Sequence, residues 1–264
     1  MNMFKTISLF SLIFHSQNTC TAERYPSKSD ESSLQILTKA SSAPLYNEEA
    51  TQRITGMIDN IPAACREERA ACIRKALEEG ANPNTLLYDP QAKLSLLHFI
   101  VQVLPNVPLI RLLLSKGGDA DPRNCVGYTP LMFIDHSDLS LGEEMLTTLI
   151  EGKADINAAN KEGRTALALA SFWQRPNAIE NLLKKGALAN IVTPQGETAY
   201  SEALILPQQM LCSSLEEQTS LPDLQNAQRS LTLLESHARE KKFTRAADQL
   251  AALLHRTTLE LAKH

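Results

Sequence analysis

Four segments of this chain end a helix in the same way: residues 76–84, 113–121, 149–157 and 182–190. Each opens on an apolar pair, Ala76-Leu77, Leu113-Leu114, Leu149-Ile150 or Leu182-Leu183, as a helix facing a core does. Polar residues follow, then a stop. Three of the stops are glycines, Gly80, Gly117 and Gly186, and glycine takes the left-handed conformation that closes a helix. In the third segment Lys153 holds that place, with Gly152 one residue earlier.

A second signature follows each stop. Residues 124–131, 160–167 and 193–200 each pass through a glycine into a threonine, and the first copy reads Lys93-Leu94-Ser95-Leu96-Leu97-His98. The logic is a turn, then a hydroxyl residue capping a new helix. The capping residues are Ser95, Thr129, Thr165 and Thr198, at spacings of 34, 36 and 33 residues. Pro130 suits a first helical turn, where its missing N–H costs nothing. One such segment is weak evidence; four in register mark a repeat, and repeats bury their apolar faces by stacking.

A period near 33, with a turn, two helices and a T-P-L-H-like opening, resembles the ankyrin repeat. Residues 165–186 carry the pattern without insertion, while Thr129-Pro130-Leu131-Met132 and Ser95-Leu96-Leu97-His98 look like degraded openings. The resemblance covers about residues 65 to 206. It implies an all-α fold: an ankyrin-type solenoid of stacked helix pairs with short turn or β-hairpin tips. In that family the opening histidine, here His98, ties neighbouring turns together. Three departures stand out. The turn before Ser95 is long, extra residues around 136–142 separate the helices of the next repeat, and Pro105 and Pro108 must lie in a loop or at a helix start.

The ends of the stack need polar outer faces. A helix at about residues 47 to 59, then Pro62, precedes the first stop, so the array with its N-terminal capping helices spans 47–206. Pro207 is expected to break the last helix, with residues 207–222 a polar linker. Residues 223–264 read as an extra helical pair. One apolar stripe holds Leu224, Ala227, Leu231 and Leu234, the other Ala247, Leu250, Leu254 and Leu261. The pair either caps the array or forms a separate recognition element. Residues 1–22 run from Lys5 through an apolar stretch to small residues after Cys20, the order of a secretory signal. The other reading is a disordered or docked amphipathic start, and Gln17 argues against a lipid-anchored Cys20. Residues 23–46 look like a flexible leader. The chain is thus expected to be exported, or cytoplasmic if the signal is not real.

No chemistry stands out. Phosphate-binding loops, H-E-x-x-H and G-x-S-x-G are absent, and no cysteine pair has metal-ligand spacing. Carboxylate pairs such as Glu67-Glu68 are sequence neighbours that point different ways on a helix. We therefore assign no catalytic residue, no metal and no cofactor. A net charge of −4 is too balanced for a nucleic-acid surface, and no apolar run reaches the roughly 20 residues of a membrane span. Buried free thiols are favoured over disulfides for Cys65, Cys72, Cys125 and Cys212.

In the ankyrin family partners lie against the turn tips and the concave face of each first helix. Carried over, the tips hold Tyr128, then Lys161, Glu162 and Arg164, then Glu197; the helix positions hold His136, then Phe172 and Trp173. Trp173 is the chain's one tryptophan, and aromatic side chains dominate interface hot spots. Both rings either meet a partner or pack inside the array or under the C-terminal helices. The resemblance thus implies a monomeric protein-binding scaffold rather than an enzyme. The alternative is an exported effector whose C-terminal helices carry an activity, and a third reading is a structural spacer.

Overall fold

The computed structural model describes residues 46–60, 65–87, 93–134, 139–212 and 221–262. The candidate signal, most of the leader and His136 lie outside the described residues.

Each helix ends where its sequence stops it. At all four stops the N–H of the residue after the left-handed one reaches back to a carbonyl five residues earlier: Ala81 to Ala76, Gly118 to Leu113, Ala154 to Leu149 and Ala187 to Leu182, at 2.9–3.1 Å. The preceding N–H bonds a second carbonyl, as in Lys153 to Ile150. Lys153 does adopt the left-handed conformation (φ 72°), at a cost that Gly117 (φ 87°) does not bear.

The first helices start as their caps dictate, with one exception. Helices α1 (Glu48–Asn60) and α2 (Arg66–Glu78) precede a short hairpin of β1 (Leu86–Leu87) and β2 (Leu94–Ser95), antiparallel with Leu86 opposite Ser95. Ser95 caps α3 (Leu96–Gln102) in a reciprocal box with His98. Asn106 caps α4 (Val107–Ser115), with Pro108 in its first turn. Thr165 caps α6 (Ala166–Phe172), and α7 (Pro176–Lys184) completes that repeat. Thr198 and Ser201 cap the start of α8 (Ala199–Cys212) reciprocally.

The exception is Thr129. It opens a single 3₁₀ turn, Pro130–Phe133, not an α-helix, and its hydroxyl is buried without a hydrogen-bond partner. After it α5 (Leu139–Glu151) begins inside the stretch expected as an insertion between helices, so residues 139–142 belong to the second helix.

Pro207 corrects a second expectation. It does not break α8, which runs through it to Cys212. A proline removes the hydrogen bond from its own nitrogen to the carbonyl four residues back, here that of Ala203. That carbonyl instead accepts from Nε2 of Gln174 at 2.8 Å. Gln174 is buried and left-handed (φ 50°) at the end of α6, and also donates to Ser171. A side chain from the previous repeat thus replaces the missing backbone donor.

The helices pack in two columns. One runs α3, the 3₁₀ turn, α6, α8; the other runs α2, α4, α5, α7. Two further helices, α9 (Leu221–Glu240) and α10 (Thr244–Leu261), pack tightly on each other and extend both columns. Their order is reversed relative to a repeat: α9 lies on α7, and α10 lies on α8. Leu231, Leu234, Ala238, Ala247, Leu250 and Leu253 join the same core that begins at Ala50. On α10, Leu253 and Thr257 are the buried residues beyond Leu250, and Leu261 is only half-buried.

Side chains also bolt one turn to the next. Asn84 accepts the N–H of Asp119, Asp121 that of Asp155, and Asn157 that of Leu188, at 2.6–2.8 Å. His98 does the same deeper down. Its Nδ1 faces the Ser95 hydroxyl and N–H, so Nε2 carries the proton and donates to the Tyr128 carbonyl at 3.0 Å. Burial drives its pKa down to about 4, against the raising effect of that carbonyl, so the ring is neutral.

Candidate functional site

The tips are built by one polar residue each. Asn124 accepts from the N–H groups of Val126 and Tyr128, Asn160 from those of Glu162 and Arg164, and Thr193 from that of Glu197. This fixes Tyr128, Arg164 and Glu197 at equivalent places, one residue before each cap. The tips stand close together: Lys161 donates its N–H to the Val126 carbonyl, and a Cβ on Gly127 (φ 84°) would lie 2.8 Å from that nitrogen. Only glycine fits there.

Arg164 is the centre of the cluster. Its Nε donates to Glu202 at 2.6 Å, its guanidinium also reaches Glu162 at 3.2 Å and Glu197 at 3.8 Å, and it lies 5.5 Å over the Phe172 ring. Glu202 is fully buried on α8. Burial pushes its carboxyl above the usual carboxylate range, which the Arg164 hydrogen bond opposes. Its second oxygen, Oε2, is buried without a hydrogen-bond partner. Phe172 meets Trp173 edge to face at 5.0 Å.

Beside this cluster is a cleft of about 200 Å³ between the 3₁₀ turn and α6. Tyr128, Met132, Phe133 and Trp173 form its apolar wall, with Glu162 and Arg164 at the tip. Tyr128 packs on Phe133 at 5.5 Å, and burial, then Glu162, raises its hydroxyl pKa. Trp173 is 39% exposed and Phe172 half-buried, so neither ring is lost in the core.

Six of the eight positions picked from the sequence therefore meet: Tyr128, Glu162, Arg164, Phe172, Trp173 and Glu197. Lys161 is exposed with its stem along Gly127 and takes no part in the Arg164 ion pairs, and His136 lies outside the described residues. Glu202 was missed. Its signal was present: four residues past the cap the other repeats have Phe99, Phe133 and Leu169, and only this one carries a charge. Among the described residues no group of three or more His, Cys, Asp or Glu could hold a metal, Cys65, Cys72 and Cys125 are free thiols, and no helix is long and apolar enough to cross a membrane.

Comparison with known proteins matches these features. The family model of ankyrin repeats, in three copies, matches residues 97–193. The human ankyrin repeat and SOCS box protein 6 is 31% identical over 195 residues, 67% of this chain and 42% of that protein. The BTB/POZ domain and ankyrin repeat-containing protein NPR1 of Malus hupehensis is 30% identical over 132 residues, 49% of this chain and 21% of that protein. A putative palmitoyltransferase ZDHHC13 of Danio rerio is 28% identical over 141 residues, 53% of this chain and 21% of that protein. The chain thus spans less than half the length of these curated relatives. With four stops and four openings in register and this family match across residues 97–193, the chain carries an array of ankyrin repeats.

Proposed function

We propose that this chain is a protein–protein interaction scaffold and not an enzyme, and that it holds its partner across the cleft between the second and third tips. One observation carries this reading: the only tryptophan of the chain stands exposed in an apolar cleft, braced by Phe172 and an anchored arginine. Rigid aromatic rings offer large contact area at low entropic cost, the usual make-up of an interface anchor. The ankyrin repeats support it, since such repeats serve as binding scaffolds.

The test is affinity capture with wild type and with Phe172→Ala/Trp173→Ala. Loss of the partner on the double variant, with an unchanged melting curve, is the expected result. Equal recovery removes the anchor. The same reading has the chain exported by residues 1–22, and N-terminal sequencing of the chain from its native cell decides it: a start at residue 1 rules out cleavage. The C-terminal pair, packed on α7 and α8, serves in this reading as the end cap of the array.

A further inference from the structure

The seam between the last repeat and the C-terminal pair holds a titratable group outside the Trp173 cleft. Helices α9 and α10 cover each other more extensively than either covers α7 or α8. The pair can therefore lift off as one unit, and the end elements of a stack open before its middle. Across this seam the Tyr200 hydroxyl, on α8, lies 2.8 Å from Nδ1 of His237, in the last turn of α9. Tyr200 is buried and His237 half-buried. The two rings stand 6.2 Å apart, and Phe243, just before α10, packs on Tyr200 at 5.7 Å.

The sense of that hydrogen bond follows from burial. Burial pushes the Tyr200 hydroxyl up to about 12, so it keeps its proton in neutral and acid solution. A buried hydroxyl hydrogen needs an acceptor, and Nδ1 of a neutral His237 is one. A proton on Nδ1 takes that acceptor away and puts a charge into a half-buried seam. The surroundings do not offset it. Burial, then Lys241 one turn further along α9, holds His237 below the ordinary histidine value, and Glu240 opposes them more weakly. Glu240 is itself 3.3 Å from Lys241, and Arg239 pairs with Glu235. The buried faces of α7 and α10 hold no titratable side chain, and Arg245 and Asp248 of α10 are exposed. On α8 the buried Glu202 is engaged by Arg164.

We propose that the Tyr200–His237 contact is a pH-sensitive latch: protonation of His237 releases the α9–α10 pair from α7 and α8 and uncovers the apolar end of the array. The docked pair binds the His237 proton less readily than the released pair does. The latch is therefore complete above the ordinary histidine value and weakens as pH falls through it. Within that window the opening equilibrium rises by up to about tenfold per pH unit. His98 does not act at this seam, because it ties Ser95 to the Tyr128 carbonyl inside the array.

Hydrogen exchange of the full chain, read segment by segment, tests the latch. The opening constant of the α9–α10 amides is taken relative to that of the α3–α4 amides, after correction for the intrinsic pH dependence of exchange. In the wild type this ratio should rise about tenfold from about pH 7 to about pH 5. His237→Asn sets an amide oxygen near the Nδ1 position, which keeps an acceptor for Tyr200 but does not titrate, so its ratio should stay flat. A flat ratio in the wild type, or the same rise in the variant, overturns the proposal. If His237→Asn does not fold, the wild type alone decides: the ring-proton NMR signals of His237 should titrate at lower pH in the folded chain than in urea. A folded midpoint equal to or above the one in urea overturns the latch.

Discussion

At the residue scale, two side chains set measurable terms in stability. The unfolded His98 titrates near the ordinary histidine value and the folded one at about 4. Between those values the unfolded chain binds a proton that the folded chain does not. The contribution of His98 is therefore complete above the unfolded value, and is lost as pH falls through this window toward about 4. By linkage the difference is about 3 kcal/mol. Asp121 and Glu202, both raised by burial, act in the opposite direction. The clean measurement is thus the difference between wild type and His98→Gln in urea unfolding from about pH 7 to about pH 4. The wild type should show the steeper loss; parallel curves would remove His98 from the account. At the third stop, Lys153→Gly should raise stability by about 1 kcal/mol, because a left-handed lysine is strained. Gly117→Ala should cost about as much, since no atom lies near enough to obstruct the new methyl and only the backbone conformation resists it. Equal stability of both variants with wild type contradicts this.

At the scale of the element, α8 depends on a residue outside itself. Gln174→Ala leaves the Ala203 carbonyl without its donor and should cost about 2 kcal/mol. In a Pro207→Ala background the helix regains its own N–H, so the same substitution should cost about 1 kcal/mol less. Urea melts of the four-protein cycle test this, and strict additivity would show that Gln174 does not serve the proline gap. Much of the local structure was legible in the sequence. The stops at Gly80, Gly117 and Gly186 and the caps at Ser95 and Thr165 are local devices, complete within six or seven residues. The Pro207 helix was not legible, because its donor lies 29 residues earlier in the chain. The 3₁₀ turn at Thr129 was hidden for a similar reason: the opening reads correctly, but the turn then stops after Phe133. At the candidate site, Tyr128, Arg164 and Glu197 were found because they share one place in the repeat. Glu202 was not, since its pairing partner is 38 residues away and depends on how the repeats stack.

At the scale of the whole molecule, one core runs from Ala50 to Leu253. The stripes on α9 and α10 gave the buried faces but not the reversed order in which the two helices meet α7 and α8. Amphipathicity fixes which face is buried, not which neighbour covers it. A chain ending at Cys212 would expose the α7 and α8 surfaces that now cover Leu231, Leu234, Ala247 and Leu250. It should melt at lower temperature and with a broader transition, as an uncapped array does; an unchanged thermal transition would make the pair a separate unit. The role proposed for the array is to present the Trp173 cleft to another protein. The most direct measurement is photo-crosslinking in the native cell, with a photoreactive residue at position 173 and, as control, at the exposed Arg74 on α2. A discrete crosslinked partner from position 173 and none from position 74 is the result this account predicts. The same partner from both positions, or from position 74 alone, would contradict it.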